Sequence, residues 1–216
     1  MATVARQRYT RVAVVLHWTI AALIALNLAI GWFMEDLAEP WRTIVVRLHQ
    51  SSGMTVLALT VARIAWRLTH RPPPFDPRVS VGERRTAAVV HAVLYVAMLA
   101  IPLSGWALIS ANPPRYETPV AGQGPRQKYI MLWGMIRLHP IAPIQAIAAA
   151  PGGVARQHVL HDRIVGAHRI AGYGLLALLT LHVLAALKHQ LLDGQAALSR
   201  MGIGRARSDD ALGLEG

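Results

Sequence analysis

Residues 164–187 read IVGAHRIAGYGLLALLTLHVLAAL and stop at Lys188. At a rise of about 1.5 Å per residue, a run of roughly 23 residues makes about 35 Å of helix. That length crosses a hydrocarbon layer of about 30 Å with modest tilt. Two histidines, His168 and His182, interrupt the apolar run 14 positions apart. At about 100° per residue, 14 steps fall about 40° short of four full turns, so both imidazoles occupy one helix face, about 21 Å apart. Ionisable groups inside a span are costly and commonly functional.

Three further apolar runs lie upstream. The first covers residues 12–34 (VAVVLHWTIAALIALNLAIGWFM), between Arg11 and Glu35-Asp36. The second, about 43–66, contains Arg47, His49 and Arg63, which blur its ends. The third, about 86–110, reads TAAVVHAVLYVAMLAIPLSGWALIS, and its Pro102 predicts a local kink. The expected fold is all-α: a four-transmembrane-helix bundle occupying residues 1–190, with an outer loop at 111–163 and a polar cytoplasmic tail at 191–216. The charged pair after the first run argues against a cleaved signal peptide. Within the loop, the apolar stretch from Tyr129 to Ala150 is interrupted by Arg137, His139, Pro140 and Pro143, which predicts short interfacial or re-entrant helices. The tail near SDDALGLEG predicts partial disorder.

Composition agrees. Of 216 residues, 54% are hydrophobic and 15% charged, and the mean hydropathy is +0.36. A water-soluble domain carries about 25% charged residues, so the composition argues against an ordinary soluble enzyme. No cysteine is present. Disulfides, thiolate-held iron–sulfur clusters, cysteine zinc sites and covalent c-type haem are therefore excluded too. The net charge of +11 reads, in so apolar a chain, as membrane topology and anionic lipid, with no nucleic-acid partner. Basic residues favour the side holding the N-terminus, placing both termini in the cytoplasm of a bacterial inner membrane.

The histidines carry the chemistry. His17 lies six residues past Arg11 and His182 six before Lys188, so each sits about 9 Å from the inner boundary. His49 and His168 lie correspondingly near the outer boundary. Two pairs at two depths, His17 with His182 and His49 with His168, suit two stacked haems, each iron held by an imidazole on either side. An iron filled at both axial positions passes electrons and has no open site for oxygen. The competing reading is polar histidines bridging helices by hydrogen bonds. His91, at the inner depth, is a surplus imidazole: a replacement ligand, a propionate or quinone contact, or a satisfied bundle residue. His189, two turns beyond His182, reaches the inner rim, where a quinone headgroup or an interfacial position suits it. Arg47 and Arg169 flank the outer pair as candidate propionate partners, with Arg11 and Arg84-Arg85 available to the inner pair; topological anchoring explains them equally. Gly31, Gly53, Gly105 and Gly172 leave room for a flat macrocycle or for ordinary helix contacts.

On these residues the chain resembles the bacterial cytochrome b561 family of di-haem membrane cytochromes. The similarity rests on RYTRVAVVLHW (8–18), RLHQSSG (47–53), RRTAAVVHAVLYVAMLAIPLSGW (84–106) and AHRIAGYGLLALLTLHVLAALKHQLLDG (167–194). The resemblance implies a bundle holding two haem b groups, with the family's axial positions falling on His17, His49, His168 and His182. One branch of the family oxidises superoxide and reduces ubiquinone; another supplies cytochrome b subunits to hydrogenases and other dehydrogenases. The expected function is thus di-haem electron transfer, with superoxide as donor at the periplasmic side and ubiquinone as acceptor. The alternative is relay between a partner dehydrogenase or hydrogenase and the quinone pool. Loop cations Arg115, Arg126, Lys128, Arg137, Arg156 and Arg163 would steer a small anion or dock an acidic protein. A metal-ion transporter fits less well, because the predicted spans contain no Asp or Glu.

Overall fold

The structure, a computed structural model, describes residues 8–75, 78–112, 130–195 and 197–203. Four helices are long and apolar enough to cross a membrane: α1 (Arg11–Phe33), α2 (Trp41–Thr69), α3 (Val81–Ser110) and α5 (Gly153–Leu191). Between α3 and α5 lie a hairpin of β1 (Ile130–Leu132) and β2 (Ile136–Leu138), the single-turn α4 (Ala142–Gln145) and a 3-10 turn at Ala146–Ala149. The short α6 (Ala197–Arg200) follows α5.

Local chemistry fixes the helix starts. Thr10 caps α1, its Oγ1 accepting from Ala13 N at 3.2 Å. The α3 start is a capping box: Ser80 Oγ accepts from Glu83 N, and the Glu83 carboxylate accepts from Ser80 N. The α3 helix runs through Pro102 without a break. Gly153 starts α5 against the backbone of the 3-10 turn, where a Cβ would run into Ile147 O.

In the bundle, α1 packs on α2, α2 on α3, and α3 on α5, whereas the α1 and α5 backbones scarcely approach. Rings bridge that last seam, with Trp32 against Tyr173 at 6.1 Å and His17 against His182 at 6.4 Å. The buried core is a layer of Ile20 and Ile24 (α1), Val56 (α2), Leu94 (α3) and Leu175 (α5). Leu175 is seven residues from both His168 and His182, so the aliphatic layer lies midway between the two histidine depths.

Two features depart from the sequence reading. Part of the loop expected to form short helices is an antiparallel hairpin, with Ile130 paired to Leu138 and Leu132 to Ile136; only 142–149 is helical. In addition, α5 begins at Gly153, well before the apolar run at 164. Its polar opening turns carry Arg156, His158, His161 and Asp162, which a helix outside hydrocarbon accommodates readily. The loop after the hairpin is fastened to the α3 end: Trp106 Nε1 donates to His139 O at 2.9 Å, and Ile141 N to Ser110 Oγ at 2.9 Å. The cations Arg115, Arg126 and Lys128, and the segment SDDALGLEG, lie outside the described residues.

Candidate functional site

The four apolar helices bring the histidines into two tiers. His49 (α2) faces His168 (α5) with ring centroids 6.2 Å apart and planes at 76°. His17 (α1) faces His182 (α5) with centroids 6.4 Å apart and planes at 71°. A metal–imidazole bond of about 2.0 Å plus about 1.1 Å from nitrogen to ring centroid puts two imidazoles on opposite sides of one metal ion about 6.2 Å apart. Both pairs meet that spacing. His91 (α3) adds a third ring to the inner tier, 5.3 Å from His182, closer than two imidazoles on opposite sides of one metal ion stand.

The hydrogen bonding of the rings suits metal ligation. Ser104 Oγ donates to Ile101 O at 2.7 Å, so its 2.8 Å contact with His168 Nδ1 is an N–H donated by the ring. In the neutral ring this leaves Nε2 with a free lone pair, the tautomer a metal requires. His49 Nδ1 and Asn27 Oδ1 are buried without a hydrogen-bond partner, an arrangement that normally costs free energy. Glycines adjoin the outer tier: a Cβ on Gly31 would lie 3.6 Å from His49 Cε1, and one on Gly105 3.3 Å from His168 Cε1. Gly53 instead faces Asn27, and Gly172 has nothing within 4 Å.

The remaining expected residues take varied positions. Arg169 donates to Glu35 Oε2 at 2.9 Å, tying α5 to the loop after α1 across an exposed surface. Arg47 is exposed and lines a cleft between α2 and the hairpin, together with Ser51, Met131 and Trp133. Arg84 Nε donates to Val79 O at 2.9 Å. His189 Nδ1 sits 2.7 Å from Asp193 Oδ2, which also accepts from Lys188 Nζ at 2.7 Å, with Glu83 Oε1 at 3.8 Å from the same ammonium.

The Lys188 hydrogen bond, followed by the pull of His189, holds the Asp193 carboxyl below its ordinary range. A depressed carboxylate contributes its stabilisation fully above that range and loses it as pH falls through the lowered value. Asp193→Asn removes the same contribution at neutral pH. Hydrogen-exchange mass spectrometry is expected to show lower protection over residues 189–195, measured against the intrinsic exchange rate at each pH, in this variant and in the parent on acidification. Unchanged protection in both would refute the tie.

Sequence reasoning treated Arg63 only as a residue that blurs the end of the second run. It lies on the interior stripe of α2, donates from Nε to Tyr95 Oη at 3.1 Å, and stands within Coulombic reach of His17, His91 and His182. The signal was present: a cation inside an apolar run, with no carboxylate in any span.

The family model described as "Prokaryotic cytochrome b561" matches residues 8–204. Cytochrome b561 homolog 2 of Escherichia coli (strain K12) is 26% identical over 205 residues, covering 94% of this chain and 95% of the relative. Probable superoxide oxidase CybB of Yersinia pestis is 26% identical over 106 residues, 48% of this chain and 58% of the relative. Cytochrome b562 of Cereibacter sphaeroides is 33% identical over 103 residues, 45% of this chain and 63% of the relative.

Proposed function

The chain belongs to the prokaryotic cytochrome b561 family, and from that premise we propose that this membrane electron-transfer protein holds two b haems in two tiers. The outer tier is His49 with His168, and the inner is His17 with His182. The observation that carries this reading is the facing of two imidazole pairs at 6.2 and 6.4 Å. Haem held there by these imidazole pairs would supply one-electron reduction and reoxidation.

The protein's own groups do the rest. Ser104 fixes the tautomer and direction of His168. The Ile20–Ile24–Val56–Leu94–Leu175 layer keeps water from joining the tiers. At the outer end Arg47, Arg137, Arg156 and Arg163 raise the local concentration of a small anion, with Arg169 partly offset by Glu35. At the other end His189 and Asp193 form a hydrogen-bonded dyad able to hold and release a proton, and His91 is a further candidate contact for a quinone or a propionate.

The reaction we assign is oxidation of two superoxide anions to two molecules of dioxygen. Their two electrons, with two protons, reduce one ubiquinone to ubiquinol. The printed name of the Yersinia relative supports superoxide as donor, and the cationic outer end supports an anion. The topology we adopt places both termini in the cytoplasm of the inner membrane. A second reading, relay from a partner dehydrogenase or hydrogenase, is favoured by the start of α5, 15 residues before His168, which extends about 22 Å beyond the outer tier as a platform for a protein.

Stopped-flow mixing of the purified oxidised protein with superoxide is the test. The expected result is rapid appearance of a reduced b-type spectrum, reversed by a soluble ubiquinone. A spectrum that stays oxidised on mixing refutes superoxide as donor and leaves the relay.

A further inference from the structure

One face of α2 reads, from the outer end inward, His49, Ser52, Val56, Thr60, Arg63 and Arg67, at the three- and four-residue steps of a single helical stripe. Ser52, Val56 and Thr60 are buried in the bundle, so the stripe faces the interior. The α2 helix thus presents an imidazole to the outer tier and two guanidiniums at and below the inner tier. Arg63 and Arg67 line a recess with Arg8, His70, Arg71 and Tyr95, and among the described residues no carboxylate lines it. Ala13, also on its wall, is four residues from His17. The recess therefore lies one turn of α1 beyond the inner imidazole pair, on the same face. Trp66 ties the start of α1 to α2 beside it, donating from Nε1 to Thr10 Oγ1 at 2.9 Å and stacking on His70 at 3.7 Å.

A half-buried arginine inside a span, with a second one turn on at the span's end and no acidic partner for either among the described residues, calls for an anion that arrives with a ligand. From this arrangement, and resting on the two-haem reading above, we propose that Arg63 and Arg67 anchor the propionate carboxylates of the inner haem. At the outer tier, Arg169 is committed to Glu35, and Arg47 faces the hairpin cleft. Arg63, fixed by Tyr95, thereby also places positive charge beside the inner iron and favours its reduced state over that of the outer one. Arg63 and Arg67 are positioning residues in this assignment. A phosphate-bearing lipid headgroup is the competing occupant: Arg8, Arg67, His70 and Arg71 are exposed at the mouth of the recess, whereas Arg63 is half-buried at its inner wall, one turn of α1 from His17.

The experiment compares Arg63→Met, Arg63→Lys and Arg67→Met in the full-length purified protein, reading haem per chain, both midpoint potentials and the resonance-Raman propionate bending modes. His182→Ala and His168→Ala identify which potential belongs to which tier. Arg63→Met is expected to lower the inner potential and shift the inner propionate modes, with the outer potential unmoved. Arg63→Lys is expected to keep most of the potential. Arg67→Met is expected to give a smaller shift of the same sign, and it stands as the measure should Arg63→Met fail to fold. Loss of inner haem in Arg63→Met, recovered in Arg63→Lys, also supports the assignment. Unchanged potentials and modes in haem-replete Arg63→Met and Arg67→Met overturn it while the two-haem reading survives. So does phosphatidylglycerol binding that is lost in these variants with the haem signals unmoved. A parent protein without haem removes the underlying reading and the assignment with it.

Discussion

Purified His182→Ala protein is expected to carry about half the haem of the parent, the inner group being lost and the outer one kept. The size of the effect follows from what α5 can offer in place of the missing ring. His189 is two turns further along and tied to Asp193 at 2.7 Å, and His168 is committed to the other tier, 6.2 Å from His49. No other imidazole on α5 reaches the inner depth. His17→Ala is expected to be milder, because His91 stands in the same tier on α3 and can swing toward the vacated position. His91→Ala is expected to keep both haems, since its ring is only 5.3 Å from His182 and so stands beside the pair. Pyridine-haemochrome measurement per chain checks all three. Undiminished haem in His182→Ala would falsify the inner ligand assignment.

The second large effect concerns a position with no functional group. Valine at Gly105 is expected to abolish the outer site as completely as His168→Ala does. A Cβ there would lie 3.3 Å from His168 Cε1 and 3.8 Å from its Nδ1, so the γ-methyl groups must displace the ring or the helix. Overpacking of this kind costs about 1–3 kcal/mol, and the ring also loses its 2.8 Å bond to Ser104. Gly105→Ala is expected to fall between parent and Gly105→Val, because its single methyl needs a shift of only a few tenths of an ångström. Gly31→Ala, whose Cβ would rest 3.6 Å from His49 Cε1, is an ordinary contact and is expected to stay near the parent. Haem content and the outer midpoint potential rank the series, and an inverted order would refute the steric argument.

The two tiers were legible in the sequence because their determinants are local. A 14-residue interval on one apolar helix fixes a shared face and a separation, and flanking charges fix depth. The long apolar runs likewise announced four spans. The hairpin was not legible, for a physical reason. Its turn uses Trp133 at φ 52° and Gly134 at φ 72°, a conformation that usually advertises itself as Asn-Gly or Asp-Gly. Here tertiary bonds favour the conformation: Trp133 N donates to Ser51 Oγ at 2.9 Å and its indole Nε1 to Thr55 Oγ1 at 3.1 Å. Both partners lie on a helix some 80 residues earlier in the chain. The polar extension of α5 was hidden because hydropathy reports the membrane, not the helix. Arg63 was visible but was read as a boundary, and only the interior stripe of α2 gives it a direction.

The aliphatic layer midway along the bundle has a further consequence. Ile20, Ile24, Val56, Leu94 and Leu175 contain no side-chain donor or acceptor, and proton hopping needs an unbroken relay of such groups or of water. Tunnelling needs neither. Under the two-haem function proposed above, such a layer would part the passage of negative charge from that of hydrogen ions: the acceptor would draw its protons from its own compartment, and the voltage generated would not be short-circuited along this layer.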